Sequence, residues 1–548
     1  MAAGHRDRAQ GHGALRARIV ARGGYAAVLV AVAAVLTFWS IITPLLSGVD
    51  EPAHFNSVLR LMQGGGWPAP QTAPFIEGTL VAMQEAGNPL EGLEPLDPLP
   101  EPENRSRIVG LTAAGLDGVQ DIDWMTQHPP TYYAAVAAAL TALGGGEWRW
   151  DQLVLGARLV SVAMVVGGMA FVLATIRRVT ASSAATIVGG LAVMAVPQFF
   201  NVLSHVTSDA LTMLAASGLM FFLARALTRE PARNQGLVLD AVGAGLFLGL
   251  GLVTKGTLLT AIPAVLIVFV VAGIGQPAPW WRRLLPAATA MSIALVLGGW
   301  WWVRNLLVHG ELQSSNSGTG REDEAFDGYR TTDFVQRVFW RLVRSYWGSI
   351  NESLALPTWL LVTLTGLVVA ALVFVLIRSQ HRLLVALLLL LPLMTAGLLI
   401  FHAWEVFWNT GRIVGIQGRY FFPSITMYSL VMALAWQLLF EGRRSTAARV
   451  ASTSLVGALF VLVGAYGAVF AYRARWSGEP GGWSRMAAAS GVDPVIAGVI
   501  VAVAVLALAG AIVCAAIAVR ARPAPAPSWS VGGQSGLGGS RGRPSGAK

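Results

Sequence analysis

Ser47-Gly48-Val49-Asp50-Glu51-Pro52-Ala53-His54-Phe55 follows directly on the first long apolar segment of the chain and sets two adjacent carboxylates at its end. Proline has no amide hydrogen and is tolerated only in the first turn of a helix, so Pro52 marks a helix start. Phe55, Val58, Leu59 and Met62 then recur at the i, i+3, i+4, i+7 spacing of one helical face. The pattern predicts a short interfacial helix over 52–63, ended by Gly64-Gly65-Gly66, with Asp50 and Glu51 at its N-terminus. Carboxylates in that place either complement the helix dipole and cap free amides, or do chemistry at a membrane surface.

Composition settles the broad class. The chain is 55% hydrophobic and 12% charged, with many apolar runs of the length that crosses a hydrocarbon core of about 30 Å. An all-α polytopic membrane protein follows. The single cysteine, Cys514, lies inside the last apolar run, which excludes a disulfide framework and a cysteine metal site. The formal net charge of +10 does not indicate nucleic-acid binding, because the basic residues stand between apolar runs and at the chain ends, where they orient helices.

Outward from the quoted stretch, residues 1–23 form a basic segment without apolar periodicity, expected to be cytoplasmic and poorly ordered. The first span, about 24–46, is too long for a cleaved signal core and should act as an uncleaved anchor. From 47 to 151 the chain carries 14 Asp and Glu against four Arg, the bias of an extracytoplasmic loop. Its part 68–102 is rich in Pro, Gly and Glu and reads as irregular. Gln127-His128-Pro129-Pro130-Thr131-Tyr132-Tyr133 then opens an apolar piece too short to span, read as a juxtamembrane or re-entrant helix.

Further spans are expected at about 153–176, 184–199, 210–227, 237–254, 256–274, 285–303, 356–377, 383–401, 421–440, 450–471 and 495–519, making about twelve. Connections on the side of the N-terminus are all Arg-rich, so both termini are placed in the cytoplasm and no connection forces an inversion. A second extracytoplasmic loop covers 304–355. Residues 520–548 are Pro, Ser, Gly and Ala and read as a disordered cytoplasmic tail. An Arg-rich, Lys-poor, Ala- and Gly-rich composition suggests a bacterium with GC-rich coding, hence a plasma membrane.

The outer face collects most residues able to do chemistry: His54, His128, His205, His309 and His402, with Asp50, Glu51, Asp209, Glu405, Arg304, Arg412 and Arg419. Lys255 stands out. The chain has 39 Lys plus Arg, of which only Lys255 and Lys548 are lysines, and Lys255 sits between two apolar spans at Thr254-Lys255-Gly256. A charge at that depth either faces a polar cavity or snorkels to headgroups, and a compact ammonium suits a phosphate. Arg304, after Trp300-Trp301-Trp302-Val303, and Arg419, in Gln417-Gly418-Arg419-Tyr420, sit at membrane edges as phosphate or carboxylate ligands, with the aromatics as interface anchors. Arg158 lies shallow in the second span as a weaker candidate. Glu51 and His54 are three apart and could hold a divalent ion, with hydrogen bonding the favoured use.

In this order, Asp50-Glu51-Pro52-Ala53-His54-Phe55, His128-Pro129-Pro130-Thr131-Tyr132-Tyr133, Thr254-Lys255-Gly256, Trp302-Val303-Arg304-Asn305 and Gln417-Gly418-Arg419-Tyr420 resemble the GT-C superfamily of polytopic glycosyltransferases. In detail they are most similar to a bacterial branch of predicted membrane proteins catalogued as a domain of unknown function. The resemblance covers about 24–440 as a catalytic module and leaves 441–519 as additional C-terminal helices. It implies a transferase that moves a sugar from a polyprenyl-phosphate carrier to a hydroxyl of a glycan, lipid or protein outside the cytoplasm. Asp50 maps to that superfamily's loop base, with Glu51 beside it. The candidate substrate-binding residues are His54, His128, Tyr132, Tyr133, Lys255, Arg304, Arg419 and Tyr420. Thr131 stands where relatives often have Leu. A carrier for lipid-linked sugars and a non-catalytic subunit of an envelope-assembly complex are the competing classes; one-sided placement of the charges and the lack of an internal repeat favour the enzyme over the carrier.

Overall fold

The computed structural model describes all residues except 1, 91, 113, 116–121, 230–233, 275, 277, 314–330, 350–354, 444, 479 and 521–548, with backbone alone for 2–14 and 234–235. The expected tail 520–548 lies, beyond Arg520, outside the described residues. Among these residues the secondary structure is helical, with four isolated bridges and no strand. The reason is solvent: inside hydrocarbon every backbone donor and acceptor must be paired within its own segment, and a helix does this residue by residue.

Among the fully described residues ten helices are long and apolar enough to cross a membrane: Leu15–Ile42, Trp150–Thr180, Asp209–Leu227, Gly256–Ile274, Trp280–His309, Thr358–Arg378, Arg382–Thr410, Gly418–Glu441, Thr446–Trp476 and Pro494–Ala518. Ser183–Ala195 and Pro197–Leu203 are apolar enough only when taken together, and are bent by 74° to each other as in a broken span or a re-entrant loop. Pro197 explains the bend, since it cannot accept a place in a continuing helix and instead starts a new one. The twelfth expected span, 237–254, is the 19-residue helix Asn234–Leu252. Beyond it the chain turns extended at Lys255, whose φ is −156°.

The last helix is no appendage. Pro494–Ala518 lies along the first helix and buries Ala497, Ala504 and Ala511 at a seven-residue interval, then Ala515. Small residues in one seam let two backbones approach closely. At Gly24 a Cβ would stand 3.0 Å from Cβ of Cys514. Residues 441–519 thus close the bundle against its first element. That first helix begins at Ala2, so the basic N-terminus, expected to be poorly ordered, continues the helix as its backbone.

The quoted stretch forms the expected element, Glu51–Met62, with Phe55, Val58 and Leu59 fully buried and Gly64 taking the left-handed turn that ends it, φ 74°. Side chains of this helix tie down the long loop: Asn56 Nδ2 and Ser57 Oγ donate to Asp123 at 2.9 and 2.8 Å, and Asn56 Oδ1 accepts from the Ile76 amide. The segment 68–102, expected to be irregular, contains the helix Glu77–Glu85, whose Leu80, Ala82 and Met83 are buried. Glu85 anchors it by accepting from the Ser106 amide and from Trp150 Nε1. Behind His128-Pro129-Pro130 the juxtamembrane helix is Thr131–Ala142. The second loop holds the amphipathic helix Thr331–Trp347, which packs Phe334 and Val338 inward and lies against Gly418–Ser424.

Candidate functional site

Asp50 is the N-cap residue of Glu51–Met62, yet its carboxylate makes no capping bond. Its backbone is left-handed, φ 58° and ψ 9°, a conformation that aspartate tolerates better than most residues but that still carries strain. The turn swings the carboxylate off the helix axis, where Oδ2 accepts from Arg419 Nη2 at 2.7 Å, leaving the side chain 45% exposed. The capping explanation therefore does not hold for Asp50. Burial raises its proton affinity, but the Arg419 charge and hydrogen bond, helped by His54 and Lys255, outweigh that and hold the carboxyl below its ordinary range.

Glu51 has the opposite environment. It is fully buried and clamped by Arg158, whose Nε meets Oε1 at 2.7 Å and whose Nη2 meets Oε2 at 2.6 Å. The amides of Val206 and Gly48 add bonds at 3.0 and 3.2 Å. Burial alone would raise this acid, but Arg158 and then His205 and the Val206 amide bring it down to about 2. The remaining Arg158 donors bind the carbonyls of Ser40, Thr43 and Pro44, so a single guanidinium ties the end of the first span to the acidic loop. With both oxygens so engaged, Glu51 does not fit the ion-binding pair with His54. Among the described residues no three His, Cys, Asp or Glu side chains group closely enough to hold a metal ion.

Lys255 Nζ pairs with Asp209 Oδ1 at 2.6 Å, and both side chains are buried. Asp209 Oδ2 has no partner. Lys255 also stands 5.4 Å from the Tyr420 ring and the Arg419 guanidinium 5.5 Å from it, so one ring is within cation–π reach of both cations. His54 Nδ1 lies 2.9 Å from the Tyr133 hydroxyl, with the two rings stacked at 5.7 Å. Tyr132 donates or accepts with Ser161 at 2.7 Å and accepts from the Thr207 amide. His128 is buried, with Nδ1 unpaired.

Two imidazoles belong to one electrostatic neighbourhood. Burial pushes His54 down to about 4, with Lys255 and Arg419 acting the same way against Asp50 and Asp209. Burial pushes His128 to about 3, with Lys255 and His54 adding against the same two acids. Both rings are neutral at physiological pH. A neutral ring has one donor and one acceptor nitrogen, and in His54 the Tyr133 hydroxyl already takes Nδ1, which leaves Nε2.

The structure thus brings together Asp50, His54, His128, Tyr133, Lys255, Arg419 and Tyr420, with Glu51 and Tyr132 in the layer beneath. Arg304 is not among them. It is exposed, stacked over Trp301 at 5.4 Å and donating to its neighbour Asn305. Sequence reading named Asp209 only as an outer-face residue and Arg158 as a minor candidate, and did not foresee that they neutralise Lys255 and Glu51. A signal existed, since each is a charge within an apolar span and such charges are costly without a partner.

Among solved structures, the chain is similar to ArnT from Cupriavidus metallidurans bound to undecaprenyl phosphate, at 16% identity over 91% of this chain and 77% of that one, with a TM-score of 0.46. It is similar also to the archaeal oligosaccharyltransferase AglB from Archaeoglobus fulgidus in complex with an inhibitory peptide and a dolichol-phosphate, at 13% identity, 84% and 59% coverage and TM-score 0.44. A third is the arabinosyltransferase EmbB from Mycobacterium smegmatis, at 14% identity, 85% and 41% coverage and TM-score 0.36. No curated protein matches the chain. The family profile described as "Predicted membrane protein (DUF2142)" matches residues 34–428, from the first span to the helix beyond Arg419, and the chain belongs to that family.

Proposed function

We propose that this protein is a glycosyltransferase that moves a sugar from a polyprenyl-phosphate donor to a hydroxyl of a glycan, lipid or protein on the extracytoplasmic face of a bacterial plasma membrane, with both termini in the cytoplasm. The observation that supports it most is the half-exposed, ionised Asp50 held 2.7 Å from Arg419, with Lys255 close enough to act on it. In the proposed reaction the acceptor oxygen forms a bond to the anomeric carbon while the bond from that carbon to the phosphate oxygen breaks. The acceptor proton goes to Asp50 as general base. The electron pair leaves on the lipid phosphate, whose growing charge Lys255 and Arg419 stabilise from fixed positions in a partly dry site.

The remaining residues take supporting parts. His54 and His128 stand in the same electrostatic neighbourhood and would offer neutral donors and acceptors to sugar hydroxyls, with Tyr133 orienting His54. Glu51 with Arg158 and Asp209 with Lys255 act as positioning pairs, so that only Asp50 presents an accessible carboxylate. The motif resemblance of Asp50-Glu51-Pro52-Ala53-His54-Phe55 to GT-C loops points the same way.

The test is release of polyprenyl phosphate from a polyprenyl-phosphate sugar by the purified protein. Asp50→Asn keeps shape but removes the base and should lower turnover about 100-fold or more. Lys255→Ala should weaken binding of polyprenyl phosphate more than Asp50→Asn does. Full turnover in Asp50→Asn would overturn the assignment, and no release by the unaltered protein would favour a carrier or a non-catalytic subunit.

A further inference from the structure

An α-helix leaves its last carbonyls without partners of its own, and the first helix ends at Ile42, a short turn before Asp50. Here every carbonyl from Ser40 to Leu45 accepts from a side chain far away in sequence. Arg158 donates to Ser40, Thr43 and Pro44, and Asn88 Nδ2 donates to Leu45 at 3.1 Å. The other two donors come from the C-terminal helices that the motif resemblance set apart from the catalytic module. Ser490 Oγ donates to the Ile41 carbonyl at 2.9 Å, and Trp476 Nε1 to that of Ile42 at 2.7 Å. Ser490 is fully buried and follows the short helix Gly482–Ala489. That helix is held in turn by the first loop, because Arg105, paired with Asp151 at 3.0 Å, donates to the carbonyls of Ala488 and Ala489.

Between this clamp and the site the chain passes through two residues with left-handed backbone, Leu46 at φ 61° and Asp50 at φ 58°. Such conformations are strained and persist where the surrounding structure fixes the chain on both sides. On the far side Arg158 grips Glu51; on the near side the fixed points are the clamped carbonyls. We propose that Trp476 and Ser490 are positioning residues for Asp50, and that the connection between the last two spans, through these two bonds, sets how its carboxylate meets Arg419. That the positioned group is a general base rests on the transferase reading above; the clamp does not. Loss of either donor leaves a carbonyl at the end of the first helix without its partner, loosens the turn and lets Asp50 move off Arg419.

The test reads both the ionisation of Asp50 and turnover, in the full chain in detergent. A water-soluble carbodiimide activates accessible carboxyls in their protonated form, so its rate at Asp50 at about pH 6, mapped by peptide mass spectrometry, follows the protonated fraction. Arg419, with His54 and Lys255, keeps that fraction low. In Ser490→Ala and in Trp476→Phe the labelling rate at Asp50 should rise about tenfold, as for a weakened ion pair. Release of polyprenyl phosphate should show kcat about tenfold lower with KM for the donor unchanged, because Lys255 is not disturbed. Trp483→Phe, which removes an indole donor to the Pro494 carbonyl in the same connection, should alter neither readout. An unmoved labelling rate in Ser490→Ala or Trp476→Phe, an equal rise in Trp483→Phe, or a loss carried by KM alone would overturn the proposal. If the unaltered chain releases no polyprenyl phosphate, the transferase reading falls, and the labelling still decides whether the C-terminal helices position Asp50.

Discussion

Asp50 and Glu51 are neighbours in sequence and opposites in environment. One carboxylate is half exposed beside Arg419, the other fully enclosed by Arg158 and two backbone amides. Substituting each should therefore fail differently. Glu51→Gln keeps volume but leaves the Arg158 charge buried without an acid, and breaking such a pair costs about 3–5 kcal/mol. It should lower the thermal unfolding midpoint in detergent, with Arg158→Met in the same chain recovering part of the loss, as coupled neighbours do. An unfolding midpoint for Glu51→Gln equal to that of Asp50→Asn would contradict this division. Asp50 and Glu51 were legible as a pair from their place after the first span. Which of them stays accessible was not, because it depends on Arg158 and Arg419, far away along the chain.

At the scale of elements, Arg419 owes its position to a contact between the second loop and a membrane helix. A Cβ on Gly418 would stand 2.3 Å from the backbone nitrogen of Tyr346, and the Gly418 amide donates to Ser345 Oγ at 2.7 Å. Backbone cannot move aside as a flexible side chain can. Gly418→Ala should push the helix Thr331–Trp347 away from Gly418–Ser424, cost about 1–3 kcal/mol and draw Arg419 off Asp50. Reduced polyprenyl-phosphate release together with a lower unfolding midpoint is the expected result, and an unchanged rate would show that this contact does not set the site. The helices themselves were readable, Glu51–Met62 from its apolar spacing and Thr131–Ala142 from the prolines before it. The helix Glu77–Glu85 was hidden by flanking prolines and glycines, and its apolar residues are few.

For the whole molecule, several buried groups hold fewer protons when folded than when unfolded. Burial, the first cause in each case, keeps His54 at about 4 and His128 and His205 at about 3 against an ordinary 6.5, outweighing the nearby carboxylates. Glu51 is held at about 2 against 4.5, where Arg158 overcomes burial. Below pH 6.5 the unfolded chain binds protons at the imidazoles that the folded chain refuses, and below 4.5 it does so at Glu51 as well. Stability should therefore be greatest above pH 6.5 and fall steadily on acidification toward pH 3. Unfolding midpoints in detergent from pH 7.5 to pH 4 test this, and a flat profile would refute it.

Hydropathy alone determined the class, the greater part of the spans and the placement of reactive side chains toward one end, because transfer of apolar surface and the siting of arginines are properties of local sequence. Tertiary structure decided the pairings: Asp50 with Arg419, Glu51 with Arg158 and Lys255 with Asp209. It also decided the course of the third apolar segment, through the 74° bend at Pro197. Charge pairing acts across space between residues whose sequence separation carries no information about distance, so only the folded bundle shows which charges remain available.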